Sequence, residues 1–86
     1  MNMEHEYLTR DIGEATALVA TGLPMRDIQW KNDTAFFIFR DPKRCEDLAR
    51  EYYFGNLTIN ARIFYETIRT VKRKLYESNQ GGGKRR

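Results

Sequence analysis

The chain has one cysteine, one histidine, two prolines and one tryptophan among its 86 residues, and each scarcity removes a class of protein. Cys45 alone cannot build a disulfide framework or a thiolate zinc site. His5 has no second ligand type clustered near it in the sequence. A metal centre, a Ser-His or Cys-His nucleophile pair and a cofactor site are therefore not expected, and neither is a small-molecule substrate. No segment approaches the ~20 apolar residues of a membrane-spanning helix, and MNMEHEYLTRD lacks the apolar region of a signal peptide. The expectation is a cytoplasmic protein with no membrane partner. Gly81 to Gly83 lead into no helical pattern, so they do not form a phosphate-cradling loop.

What is present suits one small domain. Hydrophobic residues make up 41% of the chain and aromatic residues 13%, enough for a core of large side chains and too much for a wholly disordered chain. The length lies near the lower end of what folds unaided, so a homodimer would help. The charge is polarised. Residues 1–61 hold 7 Lys and Arg against 10 Asp and Glu, whereas residues 62–86 hold 8 against 2. A basic end of this kind favours polyanions, although a solvated helix face with a soluble tail accounts for it as well.

The pattern along the chain predicts an α-β-β-α-α order. Residues 1–7 read as a flexible lead-in, 8–77 as a single α+β domain and 78–86 as a disordered basic tail. Ile12, Ala15, Leu18 and Val19 share one face of a first helix, with Thr9 or Asp11 as its cap and Gly22 as its stop. Met25 to Lys31 and Thr34 to Arg40 read as the strands of a hairpin joined at Asn32-Asp33. In the second strand Phe37 and Phe39 point one way and Phe36 and Ile38 the other. Asp41-Pro42 opens a second helix, which places Cys45, Leu48, Ala49 and Tyr52 on one side and ends at Gly55. Asn60 can cap a third helix from Ala61 to about Glu77, with Ala61, Phe64, Ile68, Val71 and Leu75 as its buried seam.

Two surfaces carry chemistry. Arg62, Tyr65, Arg69, Lys72, Arg73 and Tyr76 fall in one sector of the third helix, beside its seam. Cations there could meet phosphates while tyrosines stack on bases, and Lys84, Arg85 and Arg86 would add salt-sensitive contacts. The alternative is that Tyr65 and Tyr76 flank the core, rings buried and hydroxyls wet. Trp30, Phe36 and Ile38 form the second surface. Exposed on one face of the hairpin, they would mark a protein interface, including a homodimer contact; covered, they belong to the core. The carboxylates Glu46, Asp47 and Glu51 alternate with Lys43, Arg44 and Arg50 and read as a solvated, ion-paired face rather than an acid/base site.

Thr9-Arg10-Asp11, Ala15 to Leu18, Gly22, Phe37-Ile38-Phe39, Leu48, Tyr52-Tyr53-Phe54-Gly55, Asn60-Ala61, Phe64 and Lys72 to Tyr76 together resemble a family of short bacterial and phage proteins catalogued as a domain of unknown function. The resemblance runs from Leu8 to Tyr76 and implies a shared fold, a setting in bacteria, phages or mobile elements, and no known enzymology. Asn60 stands where the family pattern has aspartate, and GGGKRR lies outside the match. Strand 34–40 followed by two helices also resembles the β-α-α order of ribbon-helix-helix repressors. The hairpin partner and the long third helix depart from that pattern.

These observations lead to an expectation of a non-enzymatic accessory protein that binds nucleic acid, DNA ahead of RNA, through the third helix and tail. A protein-interaction module or phage-encoded modulator of a host protein is the alternative.

Overall fold

Asp11 starts the first helix as expected. Its backbone is extended and its carboxylate accepts from the Glu14 amide at 2.8 Å. In the computed structural model, which describes residues 5–82 and side chains as far as Asn79, six elements follow one another. They are β1 (Glu6–Thr9), α1 (Ile12–Ala20), β2 (Met25–Lys31), β3 (Thr34–Arg40), α2 (Pro42–Tyr53) and α3 (Ala61–Gly82). The hairpin and its three covering helices are those predicted, and the class is α+β.

Two boundaries differ from the expectation. Glu6 and Tyr7, read as part of a flexible lead-in, are the first residues of β1, which pairs antiparallel with β3. Four residues are too few for a two-residue alternation to register; the strand exists because Tyr7 meets Phe39 and Leu8 meets Ile38 across the ladder. Residues 78–82, read as tail, continue α3. The Trp30 indole N–H donates to Ser78 Oγ at 3.0 Å, and that hydroxyl donates to the Leu75 carbonyl at 2.7 Å, so tertiary contact holds a turn that glycine weakens.

The sheet order is β1-β3-β2, so β3 is central. On one face Phe37 and Phe39 pack with Ala15 and Leu18 of α1, Leu23, Cys45 of α2 and Val71 of α3. α1 is buried almost all round: Thr16 and Ala17 are as hidden as Ala15. Both α1 and α2 end in Schellman turns. The Gly22 and Leu23 amides donate to Val19 and Leu18, and the Gly55 and Asn56 amides to Tyr52 and Glu51. Gly22 and Gly55 supply the positive φ those turns need, at 110° and 76°.

The other sheet face carries Leu8, Phe36 and Ile38, in register with Asp27 and Gln29 of β2. A bulge at Arg26 lets its guanidinium reach Glu6 at 2.7 Å, an ion pair that ties the two edge strands together across β3. Ile38 lies between those strands and is only 1% exposed. The edge strand β2 is guarded by that bulge and by Arg26, Asp27, Gln29 and Lys31, which disfavours edge-to-edge pairing with another chain.

Candidate nucleic-acid interface

α3 is positioned from its first turn. The Asn60 carbonyl oxygen Oδ1 accepts from the amides of Arg62 and Ile63 at 2.9 and 3.1 Å. Val71 is fully buried, and Phe64, Ile68 and Leu75 are half-buried on the same side, so the predicted seam fixes the rotation of the helix. Ala61, expected to open that seam, is exposed.

With the seam inward, the sector from Arg62 to Tyr76 points out. All six residues are exposed, and Tyr65 and Tyr76 are 60% and 62% accessible. The tyrosines therefore do not flank the core. The Arg69 guanidinium sits over the Tyr65 ring, 5.7 Å from its centroid. Arg62 Nε is bonded to Glu66 Oε2 at 3.1 Å, an open surface pair that phosphate could displace at little cost. Lys84, Arg85 and Arg86 lie outside the described residues.

The hairpin surface comes apart. Trp30 pairs with Ala35 across the ladder and so lies on the helical face, 37% exposed and tied to Ser78, whereas Phe36 and Ile38 lie on the opposite face. Ile38 is buried and Phe36 half-buried. These three residues do not form one exposed patch, because ladder register and not mere alternation decides which side a strand residue takes. Other large apolar side chains are exposed outside the hairpin. Phe54 and Ile63 stand out, and Tyr52, Leu57, Ile59, Ala61 and Phe64 line a groove of about 350 Å³. On α2, Lys43 pairs with Asp47 at 3.4 Å across an open surface, in keeping with a solvated, ion-paired face.

A second polar constellation was not foreseen. Glu14 is 3% exposed, and its carboxylate accepts from the hydroxyls of Tyr7, Thr9 and Tyr53, the last two at 2.8 Å. The signal was Asp11-x-x-Glu14, a capping-box spacing in which the second carboxylate returns to the cap amide. Here Glu14 turns inward, and Thr9 Oγ1 takes the Asp11 amide instead at 3.1 Å. The cluster joins β1, α1 and the last turn of α2. Gly13 leaves room for Tyr52, whose hydroxyl comes too close for a β-carbon at that position.

Burial, then the hydrogen bond to Glu14 and its charge, raise the Tyr7 and Tyr53 phenols above their ordinary range. Burial foremost, with the charges of Asp41 and Glu14, lifts the Cys45 thiol to about 11. Each group ionises first in the unfolded chain, so its stabilisation is intact below the ordinary pKa and disappears as pH rises through the folded value. The urea midpoint should hold from pH 7 to 9 and fall steadily towards pH 11. A midpoint unchanged at pH 11 would contradict this.

Among the described residues no group of three or more His, Cys, Asp or Glu side chains is placed to hold a metal, and no helix is long and apolar enough to cross a membrane. No protein-family model, curated protein or solved structure matches this chain.

Proposed function

We propose that this protein is a small non-enzymatic accessory factor that binds nucleic acid, DNA in the first instance, through the outward stripe of α3. The observation that carries the reading is the exposure of Arg62, Tyr65, Arg69, Lys72, Arg73 and Tyr76 together in one sector of a helix, beside the inward seam of Phe64, Ile68, Val71 and Leu75. Their cations can replace the counterions condensed on a phosphate chain, a gain that depends on salt. The basic residues 84–86 would add salt-dependent contacts. The resemblance to short bacterial and phage proteins supports a phage or mobile-element setting, in the cytoplasm.

Replacing Arg69, Lys72 and Arg73 together by alanine should weaken binding by about 10²-fold at low salt and reduce the slope of log affinity against log salt by about 3. Fluorescence anisotropy with labelled oligonucleotides measures both. A protein that shifts neither DNA nor RNA at low salt has some other function.

The second reading is a protein-interaction module, a modulator of a host protein or a homodimer. Its support lies in exposed Phe54 and Ile63 rather than in the hairpin. Nuclease treatment separates the two, because a nucleic-acid binder loses whatever co-purifies with it through the nucleic acid and a protein binder keeps its partner.

A further inference from the structure

The stripe of α3 has an internal order that says more than its charge. Tyr65, Arg69, Lys72 and Tyr76 follow at i, i+4, i+7 and i+11, the spacing that keeps side chains on one line along a helix. The two tyrosines lie about 16 Å apart along the axis and within roughly 20° of each other around it. Both rings are open to solvent, and the two cations sit between them. Arg62 and Arg73 border this line on the side away from the core.

Beyond Arg62 and Arg73 the sign of the surface changes. Glu66 and Glu77, both exposed, follow next around the helix. On the other side the helix turns into its seam, where Ile68 is half-buried and Leu75 packs against the core. α3 therefore offers a single track for phosphates, with carboxylates along one border and protein along the other. A helix lying in a major groove meets two phosphate walls, one on each side. Here one of those walls would fall on Glu66 and Glu77. A single strand has one backbone, and its bases are unpaired and free to stack. The Arg69 guanidinium lies over the Tyr65 ring, 5.7 Å from its centroid, so a cation and an aromatic face are already side by side on this line.

We infer that the partner of this stripe is an unpaired strand, DNA or RNA, whose bases stack on Tyr65 and Tyr76 while its phosphates follow Arg69 and Lys72. This rests on the proposed nucleic-acid function and narrows it to one form of nucleic acid.

The test is fluorescence anisotropy with four labelled probes of equal length: oligo-dT, oligo-rU, a mixed-sequence duplex, and an abasic deoxyribose-phosphate strand. The full chain should bind oligo-dT and oligo-rU at least tenfold more tightly than the duplex, and about tenfold or more above the abasic strand. Tyr65→Ala with Tyr76→Ala should erase the advantage over the abasic strand while keeping the salt slope. The matching pair of Tyr→Phe changes should restore it, since phenylalanine keeps the stacking face. Both tyrosines are exposed, so these variants should fold, and far-UV circular dichroism checks that they do. Duplex binding as tight as oligo-dT, or an advantage indifferent to the tyrosines, would overturn the inference and leave the broader function standing. Failure to bind any probe would remove both, and the ratio of oligo-dT to oligo-rU affinity distinguishes DNA from RNA.

Discussion

Glu14→Ala should destabilise the domain by about 3 kcal/mol, because it strips one acceptor from three hydroxyls at once. The carboxylate collects Tyr7, Thr9 and Tyr53 from β1 and α2 at the base of α1. Bonds to a charged acceptor contribute about 1.5–3 kcal/mol each, but the three losses do not add fully. Tyr53 regains water because its ring is open to solvent, whereas Thr9 stays buried with its donor unsatisfied. In a domain with about 5–15 kcal/mol in total this is a large fraction, and thermal unfolding should move down by about 15 °C. Glu14→Gln keeps the volume and one acceptor oxygen and should lose roughly half as much. Urea denaturation of the two variants measures the difference. A loss within 1 kcal/mol for Glu14→Ala would mean that desolvation of the charge had cancelled its bonds, as happens for some buried ionic groups.

This cluster also shows where the sequence was legible and where it was not. Caps and stops were readable, since Asp11, Asp41, Asn60, Gly22 and Gly55 act on backbone groups within a few residues of themselves. The hairpin was readable for the same reason, its boundaries coinciding with those observed. What escaped depends on residues far apart in the chain. β1 is a strand because β3 accepts it, and Glu14 is buried because Tyr53, thirty-nine residues on, donates to it. Local chemistry gives Glu14 only a favourable place near a helix start.

The α3 stripe was legible as a sector of the helical wheel, but its exposure was not. A sector beside a seam can be half-buried or free, and the answer depends on how far neighbouring elements wrap around the helix. α1 and the sheet cover only the seam side, which leaves Tyr65 and Tyr76 standing in solvent. The Trp30, Phe36 and Ile38 surface failed for the complementary reason. Alternation within β3 was right, but the side that Trp30 of β2 takes follows only from its register with Ala35.

Phe39→Ala should be the most damaging single truncation in the sheet, costing about 4 kcal/mol, while Phe36→Ala three residues away should cost about half as much or less. Phe39 is fully enclosed against α1, α2 and Tyr7, so truncation opens a cavity that the tightly packed helices cannot close. Phe36 lies outside the core cluster, on the other face of the sheet, and is only half-buried, so it already keeps part of its ring in water. Less area returns to solvent when it is removed, and no enclosed void is left behind. Chemical denaturation at two protein concentrations checks the pair. Equal losses at the two positions, with the Phe36 loss growing at higher protein concentration, would mean that a second copy covers this face and that the sheet completes its core only on dimerisation. Unequal losses independent of concentration fit a domain that closes its core on one side of the sheet and holds the other with the Arg26 to Glu6 bridge.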